Sequence, residues 1–257
     1  MMHFLTSYLK FLWSSSNAHG VHSPFVFDLA TKCFYEKQPY PEYALLEKHR
    51  KTLLDNDGLI TVDDFGAGSK IFKSNTRKIS AIARNAGISK DCAALLFRMV
   101  RYFGPKTILE IGTSLGLATA AMHLGNTSTR IDTVEGCRET ATVAKNHFDK
   151  AGFSISEFIV SEFENYLEKI SGNTYDLIYF DGNHTKEATL KYFDLLLPTV
   201  TNETVWIFDD IHWSTEMEAA WEVITQNQQV TISIDIFQWG LVFFRKEQAK
   251  EHFIIRV

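Results

Sequence analysis

The chain has 257 residues, 45% hydrophobic and 22% charged, with 20 phenylalanines; this composition supports a sizeable core and excludes disorder, a fibre or a solenoid as the main state. Lysine and arginine number 26 against 31 aspartates and glutamates, a formal charge of -5, so there is no basic excess to neutralise a run of phosphates and a dedicated nucleic-acid binder is disfavoured. Cys33, Cys92 and Cys137 lie far apart with no C-x-x-C spacing, which argues against a disulfide framework or a cysteine zinc site and fits a reducing cytoplasm.

Phe4, Leu5, Tyr8, Leu9, Leu12 and Trp13 recur at helical spacing, interrupted by Lys10 and with no positive residue before them. The pattern predicts an amphipathic helix docked on its own protein, with contact to a membrane surface as the alternative and no stable insertion, since no apolar run approaches the roughly 18 residues of a span. His19 and His22 precede a helix start and read as solvated or capping groups, not as metal ligands. Ser23-Pro24 is an N-cap with proline at the first helical position, Pro41-Glu42 opens a second helix, and Ser89 with Asp91 opens a third through Leu95, Leu96, Met99 and Tyr102. The acid-glycine stretch 62–69 is expected to be a surface loop, because no strand-helix unit with a strand-end acid follows it. Residues 76–83 are a candidate cover for a cofactor, and Phe25, Phe27, Phe34 and Tyr35 could line an acceptor pocket or simply pack in a core.

Gly104-Pro105 ends the third helix and the pattern changes. Short β-rich runs at 107–111, 130–134, 157–160, 176–180 and 204–208 alternate with helical stretches at 115–124, 137–151, 162–170, 185–197 and 214–226. Five strand-helix units predict a parallel sheet covered on both faces. Two further strands at 230–236 and 240–245 are separated by only Phe237, Gln238 and Trp239, too few for a crossover, and should form an antiparallel terminal hairpin. The expected organisation is a helical N-terminal extension over 1–88 and an α/β, Rossmann-like domain over 89–257.

In such a sheet, ligands bind beyond the carboxyl ends of the strands. After the first strand comes Glu110-Ile-Gly112-Thr113-Ser114-Leu-Gly116, a glycine turn that opens a helix. It lacks the G-x-G-x-x-G of a dinucleotide fingerprint, and an acid beside the turn suits an amine-bearing ligand better than a pyrophosphate. The second strand ends at Glu135, 23 residues past Gly112, where a carboxylate can accept both hydroxyls of a ribose. The fourth strand ends in Asp181-Gly-Asn-His184 and the fifth in Asp209-Asp210-Ile-His212. Clustered acids repel unless protonated, hydrogen-bonded or bridged by a cation such as Mg²⁺ or Ca²⁺.

Over residues 89–245 these features resemble the class I S-adenosylmethionine-dependent methyltransferases and their seven-stranded sheet with a terminal hairpin. The resemblance implies that Glu110, Gly112, Thr113, Ser114 and Gly116 meet the methionine part of the cofactor, that Glu135 holds the ribose, that Ser161 and Glu162 lie near the adenine, and that Asp181 reaches the cofactor. Within the family the rim is most similar to catechol-type O-methyltransferases, which implies Asp181, Asp209 and Asp210 as ligands of a divalent metal such as Mg²⁺. Asp-Asp in place of Asp-Asn, and His184 in place of a lysine, are closer to a related small-molecule group with D-G-x-H and D-D-x-H at these positions. The aspartates then either bind metal or contact cofactor and acceptor directly.

The expected activity is methyl transfer to a small molecule, most simply at oxygen, with His184, His212 and Asp181 as candidate catalytic groups. Either histidine could be the base, or hydrogen-bond its neighbouring acid, or ligate the metal. Trp213 could wall the acceptor site, whereas Trp206, Trp221 and Trp239 are expected in the core. Two rivals stay open: a nicotinamide-dependent oxidoreductase on a Rossmann sheet, and a non-catalytic adenosyl-ligand-binding module with the same fold. A homodimer is also left open.

Overall fold

The computed structural model describes residues 2–63, 74–154 and 157–257. In chain order, α1 (Met2–Ser14), a 3-10 turn (Ala18–Gly20), α2 (Pro24–Leu29), a π-helical turn (Ala30–Phe34), α3 (Glu42–Leu54), β1 (Leu59–Thr61), β2 (Thr76–Lys78), α4 (Ile79–Asn85) and α5 (Lys90–Phe103) precede β3 (Thr107–Ile111). Strands and helices then alternate through α6 (Leu117–Gly125), β4 (Arg130–Glu135), α7 (Arg138–Ala151), β5 (Glu157–Val160), α8 (Phe163–Lys169), β6 (Leu177–Phe180), α9 (Lys186–Leu196), β7 (Val205–Asp209) and α10 (Thr215–Gln226). The chain closes with β8 (Ile232–Asp235), β9 (Trp239–Phe243) and β10 (Glu251–Ile254).

Local chemistry sets the boundaries. The Ser23 hydroxyl accepts the Val26 N–H ahead of α2, and that of Ser89 accepts the Cys92 N–H at 3.1 Å ahead of α5, each satisfying an amide that the first helical turn leaves without a partner. α5 stops where Gly104 turns left-handed at φ +58°.

Two compact units emerge, residues 36–166 and residues 1–35 with 167–257. In the first, β3, β4 and β5 are parallel, with Ile111 opposite Val134 and Glu135 opposite Val160. β1 and β2 form a small antiparallel ribbon. The loop reading for 62–69 falls largely outside the described residues, and the stretch 76–83 spans β2 and the start of α4.

The second unit carries β6 and β7 in parallel, with β9 antiparallel to both β7 and β8. The terminal hairpin is present as expected, but a further strand follows it and lies beside β8. β10 pairs with it in parallel, His252 opposite Ser233, and a bridge from Ser16 to Ile255 ties the N-terminal segment to the same edge. Apart from the β1–β2 ribbon, the described strands number eight, against the seven expected. α1 docks through Phe4, Tyr8 and Phe11, whose rings lie 5.1, 4.9 and 5.3 Å from that of Phe237. Its opposite face leaves Leu5, Leu9 and Trp13 exposed. Phe25 packs edge-on against Phe243, Phe34 is buried, and Trp206, Trp221 and Trp239 are buried in the core. Among the described residues no helix is long and apolar enough to cross a membrane.

In the first unit, His49 of α3 is 3% exposed, with its ring 5.6 Å from Phe148 and 5.5 Å from Phe153. Neither ring nitrogen has a hydrogen-bond partner among the described residues. Burial, helped by the charges of His147 and Arg50, lowers its pKa to about 4. An imidazole near 6.5 in the unfolded chain therefore binds a proton that the folded chain refuses, so stability present above pH 6.5 is lost as pH falls towards 4, by up to about 3 kcal/mol. His49→Phe should remove that slope and raise the melting temperature most at pH 5, as denaturation at pH 5 and pH 7.5 would reveal; an unchanged pH dependence would place the titrating group elsewhere.

Candidate functional site

In the first unit the site begins where β3 ends. Beyond Ile111 the Gly112 N–H still bonds the Val134 carbonyl at 2.9 Å, so the ladder runs one step past the strand before the chain turns. The turn needs Gly112 at φ +104°, Ser114 at φ +48° and Gly116 at φ +78°. The first and last lie where side chains are strained, and a Cβ on Gly116 would also come within 3.1 Å of the Phe148 ring on α7. Glycine at 116 thus serves the turn and the close approach of a neighbouring helix.

The turn is fastened to β4 by Glu135. One carboxylate oxygen accepts the Ser114 N–H at 2.9 Å and the other accepts the Cys137 N–H at 2.9 Å. The Ser161 N–H reaches the Glu135 carbonyl at 3.1 Å, which brings the residue after β5 alongside. Ser161 is half-buried and Glu162 exposed, its carboxylate accepting from the Asn165 amide.

Glu110 is fully buried. One of its oxygens accepts from the hydroxyls of Thr119 at 2.5 Å and Thr133 at 2.6 Å, while Thr113 and Thr133 share a hydrogen bond at 2.5 Å. The other oxygen is buried without a partner among the described residues. Burial pushes its pKa up to about 8, against the lowering effect of the two threonines and with a further push from the Glu135 charge, so the group is protonated at neutral pH. Glu110 is thus a buried carboxyl held by two threonines and not a free anion at the turn.

In the second unit the ends of β6 and β7 bring Asp181, His184, Asp209 and Asp210 together. His184 Nε2 lies 3.5 Å from an Asp181 oxygen, both side chains about a quarter exposed. Burial, then the Asp209 charge, raises the Asp181 pKa well above the usual carboxylate range, with His184 opposing. Burial disfavours charge on His184, but its hydrogen bond to Asp181 and the fields of Asp181, Asp210 and Asp209 outweigh that and lift its pKa to about 9. The imidazole is cationic at neutral pH. Asp209 accepts the Asp210 N–H at 2.9 Å, and the Gln238 amide donates to Asp209 at 3.4 Å and to Asp210 at 3.2 Å.

These carboxylates are met by donors: an imidazolium on Asp181, an amide on Asp209 and Asp210. Among the described residues no group of three or more His, Cys, Asp and Glu side chains is disposed to hold a metal ion. The rim as arranged does not bear out the divalent-metal reading of Asp181, Asp209 and Asp210, whose carboxylates are engaged by His184, by Gln238 and by one another.

His212 stands apart from this cluster. Its Nδ1 pairs with Glu218 at 2.9 Å and its Nε2 with Asp235 at 2.8 Å, and its ring stacks on Phe237 at 5.0 Å. Burial works against protonation, but the two carboxylates overcome it and raise the pKa. With both nitrogens occupied, this imidazolium is a clamp. Trp213 is partly exposed beside the rim, its N–H on the Asp210 carbonyl.

The sequence did not single out Glu218, Asp235, Gln238, Thr119 or Thr133. Asp235 left a signal in an acid within the apolar run 230–236, which needs a buried partner. A further mark appears only in the backbone: the non-glycine residues with positive φ, Ser114, Asn183, Asp210 and Phe237, each follow a strand of the sheet, and such conformations gather at functional loops.

Comparison with known proteins bears on the fold. Residues 109–211 match the family described as methyltransferase domain. A methyltransferase of Podospora anserina, PaMTH1, solved with SAH, is 16% identical, with 88% of this chain and 97% of that chain covered and a TM-score of 0.62. An O-methyltransferase of Bacillus cereus in complex with SAH is 17% identical over 85% and 96% of the two chains, with a TM-score of 0.56. The O-methyltransferase TomG of Streptomyces achromogenes, involved in tomaymycin synthesis and solved with SAM, is 17% identical over 86% and 95%, with a TM-score of 0.55. No curated protein matches the chain by sequence. The fold is that of the class I methyltransferases: α/β and Rossmann-like, a multi-stranded mixed sheet preceded by N-terminal helices.

Proposed function

We propose that the chain is an S-adenosylmethionine-dependent methyltransferase that methylates a small molecule at oxygen without a divalent metal. The observation that carries this reading is the glycine turn at 112–116 fastened to Glu135 through the Ser114 and Cys137 amides. The match of residues 109–211 and the SAM- or SAH-bound structures of the same fold support it.

When bound, the cofactor supplies an electrophilic methyl group on a sulfonium. Gly112, Thr113, Ser114 and Gly116 present backbone to its methionine part, and Glu110 lies buried beneath them. Glu135 takes the ribose hydroxyls, and Ser161 and Glu162 border the adenine. Asp181, whose pKa burial and the Asp209 charge raise, removes the acceptor proton. His184, already protonated, holds Asp181 in place, and Asp209 and Asp210 contact the acceptor. Residues 1–88 contribute to the acceptor side and 89–257 form the catalytic domain. The negative charge balance suits a small acceptor over a nucleic acid, and three free thiols suit a reducing cytoplasm.

Calorimetric titration of the stripped protein with S-adenosylhomocysteine, S-adenosylmethionine and NAD, with Mg²⁺ and with EDTA, tests this. Micromolar binding of both adenosyl ligands, none of NAD, and turnover indifferent to EDTA are expected. NAD binding would instead indicate an oxidoreductase, adenosyl binding without turnover of any acceptor a binding module, and activity lost to EDTA and restored by Mg²⁺ a metal-dependent rim.

A further inference from the structure

The first unit contains a cavity of about 200 Å³ whose lining includes none of the individual site residues named above: it is lined by Tyr43, Leu46 and Arg50 of α3, Ala93 and Ala94 of α5, and Leu117 of α6. Its walls are largely apolar, and the two alanines leave the room. Arg50 breaks the pattern. It is half-buried, one of its N–H groups is held by the Ile88 carbonyl, and among the described residues no carboxylate pairs with it. Burial lowers its pKa, opposed by Cys92, as for a cation stripped of water.

We propose that this cavity binds a small molecule combining an apolar body with a single carboxylate. A guanidinium carries five N–H donors in a planar fork that matches a carboxylate's two oxygens. The charge count fixes the ligand at one anion. The other lining ions, Lys90 and Glu47, neutralise each other at 2.5 Å and are largely exposed. Tyr43 adds a hydroxyl, already reached by Arg98 at 3.5 Å. A cavity smaller than the roughly 300 Å³ of common ligand pockets suits a molecule the size of a single ring. The proposal stands independently of the methyltransferase reading.

The test titrates the full chain with benzoate and with its neutral isostere benzamide, by ligand-observed NMR and calorimetry. Saturable benzoate binding, at least tenfold tighter than benzamide, is expected. Arg50→Gln should abolish the preference, and Ala94→Phe, which fills the cavity and leaves the cation, should abolish binding of both. Melting curves identify folded variants, and either variant alone suffices for the decision. Equal binding of the two compounds, a preference that survives Arg50→Gln, binding untouched by Ala94→Phe, or no saturable benzoate binding would each overturn the assignment. S-adenosylhomocysteine titrated in parallel reports the methyltransferase reading separately.

Discussion

Glu135→Ala is expected to weaken S-adenosylhomocysteine binding by about two orders of magnitude. The carboxylate receives one backbone N–H on each oxygen, from Ser114 and Cys137, leaving further lone pairs for a ribose diol. Hydrogen bonds to a charged group contribute roughly 1.5–3 kcal/mol each, and about 1.4 kcal/mol is tenfold in affinity. Losing the ribose contacts and the fastening of the turn together thus accounts for the hundredfold. Glu135→Gln keeps one acceptor oxygen but sets an amide donor against one of the two N–H groups, so an intermediate loss of about tenfold is expected. Adenosine alone should follow the same order across the two variants, since the lost contacts lie on the ribose. Calorimetric titration of both ligands checks this, and unchanged affinity in Glu135→Ala would remove Glu135 from the ribose role.

Much of this half of the site was legible because strand-end position is a sequence property. Short β-rich runs between helical stretches located the ends of β3 and β4, and an acid and a glycine turn at those ends are visible without coordinates. The same logic brought Asp181 and Asp209 to one rim. Side-chain pairing was not legible. His184 and His212 stand in similar strings, D-G-x-H and D-D-x-H, yet one meets Asp181 and the other is enclosed by Glu218 and Asp235. The difference depends on where α10 and β8 pack, which no local pattern records. Glu110, taken from the sequence as an anion for an amine-bearing ligand, is fully buried, and that burial raises its pKa against the hydrogen bonds of Thr119 and Thr133, which reach it from α6 and β4. The strands β1, β2 and β10 escaped notice for a simpler reason: β1 and β2 are only three residues each, and β10, with its Glu-His start, depends on its pairing with β8.

The two histidines should therefore fail in different ways when removed. Asp181→Asn, which keeps the shape and removes the base, is expected to lower kcat by roughly 10²–10⁴-fold, the usual contribution of a positioned proton acceptor, with cofactor affinity retained. His184→Ala should lower kcat less, because it loosens the Asp181 carboxylate without deleting it. His212→Ala should leave kcat within about fivefold while lowering stability by about 3 kcal/mol, since it strips the shared cation from Glu218 and from Asp235, which is only 7% exposed. The loss should reach α1 as well: Glu218 also bonds Ser7 and lies 3.6 Å from His3, and Phe237, stacked on His212, is the ring on which α1 docks. Urea denaturation combined with turnover, measured as S-adenosylhomocysteine released with an accepted phenol, separates the two effects. A catalytically dead but fully stable His212→Ala would make His212 the base and reduce Asp181 and His184 to an ion pair of the rim.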